Sequence, residues 1–301
     1  MPAAIGKQTP QLFLVPPREE HARSWRGLLQ RCANPECRDG DLITSFFRRA
    51  TGFRVNETDW YCGERCMEQA LAIELEPAFR PIAPPVRTTM PMGLMLLSRG
   101  VIADEQLREA LEMHHATGDR IGACLSRMGC VSEADIASVV ATQWGCAIFP
   151  AMNIHPLCPR TIPASLAERY RMLPVHFAAH GRKMFVGFSD RVNHSALAAI
   201  EGILGCETEP CIVPERDFGF ALEQRKRDTN GEVTVNRPKT AMDVAGMICS
   251  YALQTGASAL RVHASEGNIW ARLRLRRSQL DLIFLHPPTG GLKCSGRPAD
   301  V

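Results

Sequence analysis

The sequence predicts an α+β protein of several domains. Three observations carry that expectation. Four of the twelve cysteines cluster between residues 32 and 66, and the others are scattered singly. Glycines and apolar residues recur 29 residues apart in a segment with helical periodicity. Beyond that segment, runs of alternating apolar residues follow stretches with helical spacing. At 301 residues the chain suits about two ordinary domains. Its 45% hydrophobic and 22% charged residues are those of a globular chain with sizeable cores. A net charge of +3 and 6% aromatics argue against a nucleic-acid grip.

Residues 1–21 read as a flexible arm. Their apolar patch "LFLV" ends at Pro16 and Pro17 and lacks the pattern of a secretory signal. No run approaches the ~20 apolar residues of a membrane span. The chain is therefore expected to be cytoplasmic, without membrane insertion. In that compartment cysteines are thiols or metal ligands rather than disulfides.

Residues 22–75 hold the cysteine cluster. "CANPEC" and "YCGERC" place Cys32, Cys37, Cys62 and Cys66 as two close pairs. Four thiolates suit tetrahedral zinc. "NPEC" forms a tight turn that brings two sulfurs together. Cys62 and Cys66 head the predicted helix "GERCMEQALAIELE" and share one face of its first turn. "FRVNETDWY" reads as a hairpin between the pairs. The arrangement resembles a treble-clef zinc finger. Four protein ligands leave no position for water, so the metal's expected role is structural. A module this small would draw much of its folding free energy from it.

Residues 76–90 form a proline-rich linker, with five prolines between Pro77 and Pro91. Residues 91–150 read as short helices punctuated by glycine. Residues 151–226 read as an α/β subdomain. Within it, "SLAERY" is a helix and "MLPVHFAAHGRKMFVGFSD" two strands about His180 and Gly181. "SALAAIEGILG" is a helix stopped at Gly205, "ETEPCIVP" a strand and "ERDFGFALEQRKR" a helix. Residues 227–240 read as a second linker. Residues 241–286 read as one helix followed by alternating strands, and residues 287–301 as a disordered tail.

The repeat is gapless. "PMGLMLLSRGVIADEQLREALEMH" (91–114) aligns with "RIGACLSRMGCVSEADIASVVATQ" (120–143) across the spacer "HATGD". Gly93 meets Gly122, Leu96 meets Leu125, Gly100 meets Gly129, Leu107 meets Ile136 and Leu111 meets Val140. Each copy reads as a short helix, a glycine stop, a turn and a second helix. Ser132 and Asp135 form a capping box in the second copy, and Asp104 is expected to cap in the first. The packing expected is a four-helix bundle whose glycines allow close approach.

These residues resemble the N-terminal domain of type II secretion and type IV pilus assembly ATPases, the MshEN or GspE N-terminal type. The pattern is an arginine, an apolar residue and glycine, then leucine, glycine, two apolar residues and a closing glutamine over 24 residues. The segments after Gln143 follow the family's order, so the resemblance covers residues 91–226. It implies that two such copies form a cyclic di-GMP site. The second copy keeps Arg120, Ile121, Gly122, Leu125, Gly129, Ile136, Val140 and Gln143. The first keeps Met92, Gly93, Leu96, Gly100, Leu107 and Leu111, but has Pro91 and His114 at its ends. Arginine's planar fork suits a guanine edge or face. Glycines at helix ends are expected to bring backbone N–H groups to the ligand. Pro91 removes one charge-assisted contact, worth about 1.5–3 kcal/mol. His114 retains hydrogen-bonding capacity toward a base. A half-degraded site is implied.

The family's ATPases carry a phosphate loop, G-x-x-x-x-G-K-[ST], and this sequence has none. "GASALRVHASEGNIWARLRLRRSQL" is similar to the family's segment ahead of the ATPase core. Ala259, Arg261 and Arg276-Arg277 stand where that segment is acidic, has histidine, or has Asp-Gly. The region 241–286 is expected to be a degenerate second domain, and "RLRLRR" a solvated strand face. The expectation is a non-catalytic adaptor or regulator whose partners are secretion or pilus assembly components. The alternatives are a zinc-finger nucleic-acid-binding regulator and a structural docking module with no nucleotide ligand.

Overall fold

A computed structural model describes residues 32–37, 52–56, 58–80, 89–149, 161–226, 232–265 and 267–285. The expected arm (1–21) and tail (287–301) lie outside the described residues. Among those described, nine α-helices and two mixed sheets form, and the chain groups into two units. Of the described residues, the first holds those within 89–193 and 204–226, and the second those within 32–80, 194–203 and 232–285.

The second unit begins with strands β1 (Phe53–Val55) and β2 (Asp59–Tyr61), the expected antiparallel hairpin, and helix α1 (Glu64–Leu75). The first unit then runs through helices α2 (Met92–Ser98), α3 (Asp104–Thr117), α4 (Ile121–Arg127) and α5 (Glu133–Trp144). Strand β3 (Ala147–Ile148), helix α6 (Ala164–Tyr170) and strands β4 (Met172–Ala178) and β5 (Lys183–Phe188) follow. Helix α7 (His194–Leu204), which groups with the second unit through residue 203, is followed in the chain by strand β6 (Glu207–Ile212) and helix α8 (Glu215–Lys226) of the first. The sheet order is β3-β6-β5-β4. β4 and β5 pair antiparallel around the predicted turn, and β5, β6 and β3 run parallel.

Strand β7 (Glu232–Asn236), helix α9 (Ala241–Thr255) and strands β8 (Ala259–Ser265), β9 (Asn268–Arg274) and β10 (Gln279–Leu285) complete the second unit. Its sheet order is β2-β1-β8-β9-β10-β7. Two sequence expectations change here. Residues 232–236, assigned to a linker, pair with β10 in parallel from Glu232↔Asp281 to Asn236↔Leu285. The cysteine-bearing segment and residues 241–286, assigned to separate domains, share this sheet and one core. Val55, Met67 and Leu71 are buried with Val244, Ile248, Ile269 and Phe284.

The strand face carrying "RLRLRR" is also less solvated than expected. β9 and β10 pair Arg272 with Asp281, and the guanidinium grips the carboxylate through Nε at 2.7 Å and Nη2 at 2.9 Å. Trp270 Nε1 donates to the same carboxylate at 2.8 Å, and Arg272 lies over the Trp270 ring. Asp281 is buried. Arg274, Arg276 and Arg277 are exposed.

Candidate functional site

The tandem repeat folds as two helical hairpins, α2–α3 and α4–α5, that match position by position. Their shared core includes three equivalent pairs, Leu96 with Leu125, Ile102 with Val131, and Ala110 with Val139, together with Leu107 and Cys124. Gly93 and Gly122 are buried where packing admits no side chain freely. A Cβ on Gly93 would lie 2.6 Å from Leu107 Cδ1 and 3.5 Å from Ile121 Cδ1. A Cβ on Gly122 would lie 3.1 Å from Met92 Cε and 3.6 Å from Ile136 Cγ2. Met92 is the equivalent of Ile121, and Leu107 of Ile136. The contacts therefore exchange when the copies are swapped, which is an approximate two-fold relation.

Gly100 and Gly129 serve another purpose. Both have open space around them and left-handed backbone, with φ of 68° and 72°. Each ends its helix in a Schellman motif. Gly100 N–H donates to Leu97 O and Val101 N–H to Leu96 O. Gly129 N–H donates to Ser126 O and Cys130 N–H to Leu125 O. These N–H groups are occupied, which corrects the expectation that they approach a ligand. Capping in the first copy also differs. Gln106 Oε1 accepts from Ala103 N–H, while Asp104 lies inside the helix and pairs with Arg108. The Ser132–Asp135 box forms as expected.

The closing residues hold backbone. Gln143 Nε2 donates to Met90 O at 2.7 Å, and His114 Nδ1 bonds Asp119 O. Met90 and Asp119 are again 29 apart and directly precede Pro91 and Arg120. His114 must carry its proton on Nδ1 to donate there. The first positions have matching backbones: φ −55°, ψ 139° at Pro91 and φ −67°, ψ 145° at Arg120. Arg120 Nη1 lies 3.4 Å from Asp190 Oδ2, and both side chains are about half exposed (49% and 46%). Such a pair is worth about 0–1 kcal/mol, little enough for a ligand to displace it. Arg99 Nη2 donates to Thr142 Oγ1 at 2.8 Å and ties the first copy to the second. The spacing did not mark Arg99 or Asp190. Position 128, the equivalent of Arg99, is methionine, and Asp190 lies outside the repeat.

The copies are not equally covered. Val140 is 3% exposed, whereas its equivalent Leu111 is 39% exposed. Leu107, Leu111 and His114 thus share a helix face only in part: Leu107 is buried and Leu111 faces solvent.

The second candidate is the cysteine cluster. Cys62 precedes α1 and Cys66 sits in its first turn, while Cys32 and Cys37 flank a turn closed by Cys37 N–H to Asn34 O. All four sulfurs lie within 4.8 Å of one another. Cys62 Sγ is 3.6 Å from both Cys37 Sγ and Cys66 Sγ. Zn–S bonds of about 2.3 Å in a tetrahedron give S···S edges of about 3.8 Å, so the cluster fits a metal ion. Burial opposes ionisation of Cys32, but N–H groups of Cys62 and Asn34 outweigh it and lower its pKa. Burial raises the pKa of Cys62 and of Cys66. A cation among the four favours the thiolate in every case.

The MshEN domain family matches residues 149–232. Over those residues the chain is similar to MshEN domains. The tandem repeat immediately precedes the matched residues. Relatives include the type IV pilus assembly ATPases PilB of Thermus thermophilus, 27% identical over 44% of this chain and 15% of that protein, and of Myxococcus xanthus, 27% identical over 44% and 24%. Bacteriophage adsorption protein B of Escherichia coli is 31% identical over 42% of this chain and 17% of that protein. The chain thus spans less than a quarter of these relatives. Among solved structures, MshE with cdg (cyclic di-GMP) has 23% identity and a TM-score of 0.38, over 45% of this chain and 98% of that one. The N-terminal domain of XpsE has 20% identity and a TM-score of 0.36, over 44% and 92%. No helix among the described residues is long and apolar enough to cross a membrane.

Proposed function

We propose that this chain is a non-catalytic, cytoplasmic regulator related to the assembly ATPases of type IV pilus and type II secretion systems, and that its tandem repeat binds cyclic di-GMP. The observation that carries this reading is the pairwise match of two hairpins directly ahead of the residues similar to MshEN domains. A ligand with two guanines and two phosphates related by a two-fold axis suits a protein surface with the same approximate symmetry. Arg120 is the group for one guanine edge or face. Its present partner, Asp190, is weakly held. The other half has Pro91, so binding is asymmetric and weaker than two arginines would give. The partners are secretion or pilus assembly components. The cysteine cluster holds a structural zinc ion, supported by sulfur spacing and by four protein ligands.

A specific observation favours a second reading, a docking module without a nucleotide. Met90, just ahead of the first copy, and Leu94, Val101 and Leu111 within it are all exposed. Calorimetric titration with cyclic di-GMP separates the two. The ligand reading expects saturable heat with the wild type and a loss of about tenfold or more in affinity with Arg120→Ala. No heat at about 100 µM ligand, or equal binding by both proteins, overturns it.

A further inference from the structure

The four-cysteine centre sits at the edge of a sheet completed from the far end of the chain. Val55 of β1 pairs in parallel with Leu260 of β8. The next residue, Asn56, has φ of 50° and turns both of its polar arms onto β8. Its N–H donates to Leu260 O at 2.9 Å, and its Oδ1 accepts from Val262 N–H at 2.9 Å. A side chain thus extends the ladder where the strand ends, covering an edge that β8 would otherwise leave open.

The helix that begins at the centre is equally committed to this unit. Met67, Leu71 and Leu75 of α1 are at most 1% exposed and share a core with Val244 and Ile248 of α9. Contact between the helices is close: a Cβ on Gly246 of α9 would lie 2.9 Å from Glu68 Oε1. The start of α1 has no side-chain cap, because Gly63 occupies that position. Cys62 and Cys66 bracket this uncapped end. The remaining two sulfurs come from the 32–37 turn. Ala33 N–H donates to Trp60 O at 2.8 Å, and buried Asn34 donates from Nδ2 to Gln69 Oε1 at 3.1 Å. One turn, the β1–β2 hairpin and the head of α1 therefore meet at the four sulfurs.

We propose that this metal centre is not an independent finger but the lock of the whole second unit, holding α1 and the β1–β2 pair against α9 and β8. The proposal rests on the zinc reading above. Removing the ion frees the 32–37 turn, frays the uncapped end of α1 and loosens the seat of β1. The core beneath α1 and the edge of β8 then open, although both lie far from the cysteines in sequence.

Hydrogen exchange on the full chain tests this, with zinc measured by mass spectrometry on the same samples. The zinc content is read first. A chain that holds no zinc, and takes none up when zinc is added, overturns the zinc reading and the proposal with it. With one zinc per chain, chelation is expected to raise exchange over α9 and β8 by about tenfold or more, while α4 and α5 are unchanged and added zinc restores protection. Changes confined to residues 32–75 overturn the lock and leave the zinc reading standing. Asn56→Ala supplies an independent arm, because it leaves all four thiols in place. It is expected to keep one zinc per chain yet to raise exchange over β8. Unchanged β8 protection in that variant overturns the proposed coupling.

Discussion

Two equivalent glycines are expected to respond differently to the same substitution. In Gly93→Ala the new Cβ lies 2.6 Å from Leu107 Cδ1, about 1 Å inside the optimal carbon separation. Leu107 is only 8% exposed, and Ile121 Cδ1 lies 3.5 Å from the new atom. Overpacking of this kind costs about 1–3 kcal/mol, against a helix-propensity gain of at most ~1 kcal/mol. The net expectation is a loss of about 1 kcal/mol. In Gly122→Ala the nearest atom is Met92 Cε at 3.1 Å, the end of a flexible and partly exposed side chain, and Ile136 is at ordinary contact. The propensity gain then dominates, and the variant is expected to be neutral or up to ~1 kcal/mol more stable. Denaturant titration read by hydrogen exchange over residues 121–144 isolates this unit from the other. Adding Leu107→Ala to Gly93→Ala should reveal favourable coupling in a double-mutant cycle. A Gly122→Ala cost as large as that of Gly93→Ala would refute the packing argument, as would stabilisation by Gly93→Ala.

Other expected outcomes follow from single residues. Gly129→Ala should cost about 1–2 kcal/mol despite open space, because φ is 72°; a smaller loss with Gly129→Asn would confirm that backbone conformation is the cause. Asp281→Asn removes the buried carboxylate that partners half-buried Arg272 and should cost about 3 kcal/mol, read as a lower urea midpoint with Trp270 fluorescence. Burial lowers the His263 pKa, so the unfolded chain takes up this proton at higher pH than the folded one. Stability of the second unit should therefore fall as pH drops through and below the ordinary imidazole range, levelling off once the folded ring is protonated too. His263→Gln should flatten that slope in urea titrations run across pH.

The parts of the fold legible in the sequence are those with local signals. Gly100 and Gly129 could be read as helix stops because left-handed backbone demands glycine or its few substitutes. Gly93 and Gly122 could be read as packing glycines because they recur in register with Leu96 and Leu125. The cysteines stood out because two pairs of soft ligands have few other uses. Long-range pairing left no comparable trace. Val55 and Leu260 meet across more than two hundred residues, and β1 is three residues long, too short to show a period of two. Strand β7, "EVTVN", does alternate, but the turn formers "DTNG" and "RPKT" around it hid the strand. Arg272 seemed solvated because its partner, Asp281, becomes its neighbour only through the β9–β10 register. The roles of His114 and Gln143 were hidden for a similar reason. Their acceptors are carbonyls, which no side-chain pattern reveals.

The central claim is that the paired hairpins bind cyclic di-GMP with one arginine where two would fit. Pro91→Arg tests it most directly. The backbone at Pro91 already matches that at Arg120, so the substitution adds a guanidinium without requiring a new conformation. Calorimetric titration is expected to show cyclic di-GMP binding about 10- to 100-fold tighter than to the wild type, the effect of one charge-assisted contact. Unchanged affinity in the folded variant, or no heat with either protein, would contradict the account.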